Sequence, residues 1–139
     1  MDEVLSKTAK RRQGDAFEKL AAALISKAGL KIVQTNFNVP GIGEIDIIAR
    51  ATLQSNVSHS KSAAPKFCTV FVEVRSRTSS VYGTALESIT PKKQAKLYRT
   101  AEQFLRDHPE YADDEYRFDV IVFDLMDDLV CHEWLTDAF

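Results

Sequence analysis

The stretch Phe67-Cys68-Thr69-Val70-Phe71-Val72-Glu73-Val74 constrains the fold of this chain more than any other. It is short, almost wholly apolar and rich in β-branched residues, the pattern of a central strand covered on both faces. Such a strand needs strands beside it and helices packed over it. The rest of the sequence supplies them. Residues 11–28 read as a helix whose apolar stripe is Phe17, Leu20, Ala21, Leu24, Ile25 and Ala28, with Gly29 placed to stop it. Strands are expected over Lys31–Phe37 and Glu44–Ala49, with a turn at Pro40, Gly41 and Gly43 between them. Arg75–Tyr82 reads as a loop leaving the sheet. Pro91 opens a second helix running to about His108, with Leu97, Ala101, Phe104 and Leu105 on its apolar face. Pro109–Glu115 is an acidic connection, Arg117–Phe123 a further strand, and Leu129–Trp134 a last one. With 139 residues and no repeat or linker, one α/β domain is expected, a mixed central sheet flanked by helices. Residues 1–10 are expected to be flexible. The Ser- and Ala-rich stretch 51–66, which contains His59, reads as a mobile hairpin loop.

Charge is distributed unevenly. The net charge is only −2, which does not mark the whole molecule as a nucleic-acid binder. Yet from Arg75 to Arg99 there are six Lys and Arg against Glu87 alone, and from Asp107 to Asp128 nine Asp and Glu against Arg117 alone. The first segment can attract phosphates; the second would repel them. No apolar run approaches the ~20 residues of a membrane span, and the start lacks the apolar core of a signal peptide, so a cytoplasmic location without membrane contact is expected. Cys68 and Cys131 read as two buried free thiols.

Glu73 is the informative anomaly, a carboxylate in the strand expected to be most buried. It needs a cation, a set of hydrogen bonds or a raised pKa. By strand alternation it shares a face with Phe71, Arg75 and Arg77, and Glu44 shares one with Asp46. If these strands pair, Asp46 and Glu73 come within ~5 Å and can offer oxygens to one divalent cation. Mg²⁺ often binds through one or two carboxylates plus substrate phosphate. The residue pattern equally allows Glu73 to form a structural salt bridge with Arg75 or Arg117.

Taken in order, Gly14, Glu18, Leu24, Gly29, Asn36, Gly43-Glu44-Ile45-Asp46-Ile47-Ile48-Ala49, Val70-Phe71-Val72-Glu73-Val74-Arg75-Ser76-Arg77, Gly83, Lys93, Leu97, Ala101, Arg117-Phe118-Asp119-Val120-Ile121 and Asp137-Ala138-Phe139 resemble the YraN-type family of bacterial proteins. That family is related to archaeal Holliday junction resolvases and to the wider PD-(D/E)xK nucleases. The resemblance runs from about residue 11 to the C-terminus and implies a restriction-endonuclease-like fold. It implies Asp46, Glu73 and the Val74 carbonyl as ligands of Mg²⁺ or Mn²⁺, with Glu18 approaching from the first helix. It implies a nuclease acting on DNA rather than RNA, with branched DNA, repair and recombination in view, and it leaves a homodimer open. Arg75 stands where related nucleases carry Lys; arginine holds phosphate but cannot serve as a base. The catalytic candidates are thus Glu18, Asp46, Glu73 and Arg75, and the nucleic-acid-binding candidates Arg75, Arg77, Lys92, Lys93 and Gln94. Gln94 and Tyr98 also resemble the QxxxY element of RecB-type nucleases. The 51–66 stretch is longer than the resemblance implies. A nucleic-acid-binding module without catalysis, or a protein-interaction domain, are the alternative expectations.

Overall fold

A computed structural model describes the backbone of residues 2–53, 65–78, 86–126 and 128–139, and the side chains of 12–53, 65–77, 87–125 and 128–139. Helix α1 spans Asp2–Lys27 and helix α2 spans Pro91–Asp107. The strands are β1 Lys31–Val39, β2 Gly43–Leu53, β3 Lys66–Thr78, β4 Glu115–Met126 and β5 Leu129–Leu135. They form one sheet in the order β1-β2-β3-β4-β5. Every neighbouring pair is antiparallel except β3–β4, which is parallel. A parallel pair cannot be joined by a tight turn, and α2 lies on the connection between them.

The local reasons for these elements are plain in the sequence. Gly29 ends α1 at φ +93°, and the hydrogen bonds Gly29 N–H to Ser26 O and Leu30 N–H to Ile25 O complete a Schellman cap. Thr90 caps α2 by accepting the Lys93 N–H at 3.3 Å, with Pro91 just inside the helix. At the other end of α2 the His108 ring meets the Phe104 carbonyl oxygen at 2.9 Å and Pro109 follows. Gly41 turns the β1–β2 hairpin at φ +79°.

Each helix covers one face of the sheet. Phe17, Ala21 and Ile25 of α1 pack with Ile47, Ala49, Val70, Val72, Ile121 and Phe123. Leu97, Ala101 and Phe104 of α2 pack with Ile45, Ile48, Phe71, Phe118, Val120 and Val122. Phe104 is completely buried and meets both Phe37 and Phe71 edge-on. Both faces of β3 are therefore covered, as its apolar run requires.

Four boundaries differ from the sequence reading. Helix α1 begins at Asp2, in keeping with the high helix propensity of Lys7, Ala9, Lys10, Arg11 and Arg12. The expected loop from Arg75 is instead strand, and β3 stays paired with β4 as far as Thr78 opposite Leu125. Residues 51–53 continue β2 and Lys66 already belongs to β3; 54–64, with His59, lie outside the described residues, as does Gly83. Cys68 is buried as expected, but Cys131 is exposed, because β5 is an edge strand with one side open.

The two inner faces do not alternate perfectly along β2. Ile45 and Ile48 face α2, whereas Ile47 and Ala49 face α1. The alternation slips between Ile45 and Ile47, opposite Asn36 of β1, which takes φ +53°. Nearby, the β1–β2 register shifts between Ile32 and Gln34. Irregularities of this kind re-aim a side chain, and Asp46 is the residue at the slip.

Candidate functional site

Asp46 and Glu73 stand where β2 and β3 part. The ladder between these strands ends at Ile47 opposite Val72. One residue further on, the Val74 N–H donates to Asp46 Oδ2 at 2.9 Å. A side-chain carboxylate thus takes the amide that a continued strand would otherwise have to satisfy. This fixes Asp46 beside Glu73, close enough for each carboxyl to act on the other.

The electrostatics follow from burial. Burial and the negative Asp46 beside it push the Glu73 carboxyl up to about 8, against the opposing charge of Arg75. Burial also raises Asp46, although the Val74 amide pulls the other way. Neither burial nor like-charge repulsion is cancelled by the residues around the pair, which titrates as a unit.

Arg75 provides only part of the compensation. Its Nε lies 3.3 Å from Glu73 Oε1, so the structural ion pair allowed by the sequence is present. The contact lacks hydrogen-bond geometry, however, and Arg75 Nε is buried without a hydrogen-bond partner among the described residues. Arg117, the other candidate partner for Glu73, is turned to Asp119 at 3.0 Å.

In front of Glu73 and Arg75 lies a cavity of about 210 Å³, closed by Gly43, Glu44, Lys93, Lys96 and Leu97. Carboxylates come from the sheet, and cations from Arg75 and α2. Glu18 lies on the other side of β2, over Asn36, which donates a hydrogen bond to it. Burial first, then the charge of Asp46, raises the Glu18 carboxyl. It therefore senses Asp46 but lines a different, polar hollow with Asp15, Lys19, Ala22, Thr35 and Asn36.

The phosphate-binding candidates divide. Arg75 and Lys93 line the cavity. Arg77 does not: it is locked to Asp124, directly opposite on β4. Lys92 is exposed on α2 outside the cavity, because it lies about 100° around the helix from Lys93. Gln94 turns its Nε2 to the Ile89 carbonyl at 3.1 Å, and Tyr98 packs edge-on against Phe118 and Phe139, so the Gln94–Tyr98 pair serves packing. The first amides of α2 are occupied too, Lys93 N–H by Thr90 Oγ1 and Gln94 N–H by Thr90 O. Lys96, which also lines the cavity, was not among the sequence candidates. Its spacing of three residues from Lys93 was the available signal.

Three carboxylates of the acidic segment are neutralised by arginines within the fold. Asp114 receives Arg50 through two hydrogen bonds of 2.9 Å and Thr69 Oγ1 at 3.0 Å. Asp119, completely buried, accepts from Arg117, from Trp134 Nε1 at 2.9 Å and from the Asp137 N–H at 2.9 Å. With Asp124 tied to Arg77, the expected acidic docking surface is reduced to its exposed remainder.

Among the described residues, no group of three or more His, Cys, Asp or Glu side chains is gathered to hold a metal ion.

A mixed sheet with one helix on each face and its carboxylates at the parting of two central strands defines an α/β domain of the restriction-endonuclease-like class. The chain belongs to the uncharacterised protein family UPF0102, whose model matches residues 17–123. It is 42% identical over 136 residues to UPF0102 protein PsycPRwf_0497 of Psychrobacter sp. strain PRwf-1, covering 94% of this chain and 89% of that one. It is 38% identical over 130 residues to UPF0102 protein YraN of Shigella flexneri, covering 93% and 85%. A UPF0102 protein of Psychrobacter arcticus is 38% identical over 114 residues, covering 82% of this chain but 60% of its own length. The YraN-type resemblance is thereby shown. No described helix is long and apolar enough to cross a membrane.

Proposed function

We propose that this protein is a Mg²⁺- or Mn²⁺-dependent endonuclease acting on DNA, with branched DNA the substrate class suggested by the resemblance to archaeal Holliday junction resolvases. The observation that carries the reading is the Asp46–Glu73 pair, held side by side at a strand parting, with Glu73 at the wall of a cavity that Arg75, Lys93 and Lys96 also line. Two buried carboxyls pushed above their ordinary range lack positive charge, and a divalent cation is the partner that would supply it.

The residues fit such an ion. Asp46, Glu73 and the Val74 carbonyl would hold it, a donor set of oxygens alone that suits Mg²⁺ or Mn²⁺. The cavity of about 210 Å³ equals roughly seven waters of liquid volume, room for a hydrated ion and one phosphate group. When bound, the ion would lower the pKa of an attacking water and neutralise charge on the phosphate. The chain does the rest. Asp46 is oriented by the Val74 amide. Glu73 gives up its proton when the site is charged. Arg75 lines the cavity, where its guanidinium would bring charge to a phosphate oxygen. Lysines on α2 add charge at the cavity wall. Glu18 acts on Asp46 through its charge, from beyond β2.

The test is a calorimetric titration of Mn²⁺ and Mg²⁺ into wild type, Asp46→Ala and Glu73→Ala, followed by a labelled four-way junction in the same samples. Binding and cutting confined to wild type are expected. A folded wild type with neither would overturn the proposal.

A second reading, nucleic-acid binding without catalysis, draws on Arg75, which occupies Glu73 electrostatically and cannot act as a base. Salt-sensitive binding to the junction without metal-dependent cutting would favour it.

A further inference from the structure

We infer that Lys96 is the principal phosphate-gripping side chain of α2, in place of Lys93. The inference rests on the nuclease reading and refines its substrate contacts.

Both lysines line the cavity that opens in front of Glu73 and Arg75. They differ in what their ammonium groups are doing. Lys93 Nζ donates to the Ser88 carbonyl at 3.2 Å, and its backbone N–H goes to Thr90 Oγ1, so the side chain is tethered to the helix's own N-terminal turn. Among the described residues the Lys96 ammonium has no hydrogen-bond or ion-pair partner. A lysine facing a cavity with its charge uncommitted can swing freely to a phosphate; the tether to Ser88 restricts where the Lys93 ammonium can reach, although two of its three N–H donors stay available.

The backbone at Lys96 is unusually well fixed. Thr100, completely buried, donates its Oγ1 hydroxyl back to the Lys96 carbonyl at 2.7 Å. Gly43, at the start of β2, packs directly on that turn. A Cβ at Gly43 would lie 3.0 Å from Thr100 Oγ1 and 3.7 Å from both the Cβ and the carbonyl oxygen of Lys96. Glycine at 43 therefore sets how closely α2 approaches the strand that carries Glu44 and Asp46. The same contact fixes the base of the Lys96 side chain relative to the carboxylates. The long side chain is flexible, but its origin is not.

Lys93 and Lys96 stand one helical turn apart, about 5–6 Å between their Cβ atoms. Arg75 and Lys96 line the same cavity, so a nucleic-acid strand entering it would meet both. Arg106, three turns further along α2 and paired with Glu102 at 3.7 Å, carries the same charge but lies away from the cavity.

The experiment is fluorescence anisotropy of a labelled four-way DNA junction, in EDTA so that nothing is cut, across a series of salt concentrations. Wild type, Lys96→Ala, Lys93→Ala, Arg106→Ala and Lys96→Arg are compared, with circular dichroism to confirm folding. One lost phosphate contact lowers the slope of log K against log salt by about 0.9. Lys96→Ala is expected to lose about that much, Lys96→Arg to restore it, and Lys93→Ala and Arg106→Ala to lose clearly less. Equal losses at Lys93 and Lys96, or a loss at Lys93 alone, overturn the inference. A wild type that binds and, with metal, cuts the junction while Lys96→Ala keeps its slope overturns this inference and leaves the nuclease reading standing. A wild type that neither binds nor cuts overturns both.

Discussion

Val74 and Asp46 face each other across a gap in the sheet, and the 2.9 Å hydrogen bond from the Val74 amide to Asp46 Oδ2 spans it. The carboxylate serves both the fold and the site, and two substitutions separate these roles. Asp46→Asn keeps an oxygen that can accept the amide and should retain wild-type stability to within about 1 kcal/mol. Asp46→Ala leaves a buried N–H unsatisfied and should cost about 1–3 kcal/mol in denaturant melts. Both should lose cation binding in calorimetry. An asparagine variant that binds Mn²⁺ like wild type would remove Asp46 from the ligand set.

Glu73 makes stability depend on pH in a direction opposite to most carboxylates. Its folded carboxyl is raised to about 8, well above its ordinary 4.5. The folded state therefore binds the proton more tightly, and stability is fully present below pH ~4.5 and lost as pH rises through ~8. Without added metal, the melting temperature should fall between pH 5 and pH 9. Glu73→Gln should flatten that fall and gain on the order of 2 kcal/mol at pH 9. A variant with the wild-type pH profile would show that Glu73 is ionised throughout.

The same proton links metal to pH. Below pH 8 a cation entering between Asp46 and Glu73 must displace it. Calorimetry at pH 7 in buffers of different ionisation enthalpy should show close to one proton released per Mn²⁺ bound. Affinity should rise up to tenfold per pH unit toward pH 8. Binding with no proton release would place the ion elsewhere.

Arg75 tempers the pair, since its charge opposes the rise in both Asp46 and Glu73. Arg75→Ala should therefore move the pH dependence of Mn²⁺ binding to higher pH while weakening DNA binding. Unchanged midpoints would mean that Arg75 is screened from the carboxyls.

Asp119 is a control for all of these. It is as buried as any residue here, yet Arg117, Trp134 and the Asp137 amide satisfy it. Asp119→Ala should destabilise by about 3–5 kcal/mol, because it strands buried donors. The surviving folded fraction should bind Mn²⁺ normally. Loss of metal affinity in folded protein would join Asp119 to the site.

Much of this arrangement could be read from the chain. The run around Phe71 announced a central strand, Pro91 and Gly29 marked helix ends, and Glu73 stood out because a carboxylate does not belong in such a run unaided. What could not be read depends on contacts between distant residues. The parting of β2 and β3 is a property of register, and the slip at Asp46 depends on Asn36 in another strand. Asp114, Asp119 and Asp124 looked like one acidic surface because their partners Arg50, Arg117 and Arg77 are assigned by folding. Arg75 looked like a loop residue because alternating polar residues at the end of a strand resemble an exit from the sheet. Lys92 looked like a phosphate contact and Lys96 was passed over, because only the packing of Gly43 shows which side of α2 approaches the carboxylates.

The single parallel pair in the sheet has a consequence for how the molecule assembles. Asp46 and Glu73 belong to a meander of strands adjacent in the chain, whereas Lys93 and Lys96 come into place only with the long connection to β4. Contacts across longer stretches of chain close more slowly. The negative half of the cavity should therefore gather early in folding and the positive half late. Pulse-labelled hydrogen exchange would show amides of β1 and β2 protected ahead of those in β4 if assembly runs in that order. Until the crossover docks, the carboxylates have Arg75 of β3 beside them but not the lysines of α2, and the cavity wall is completed only by a late closure.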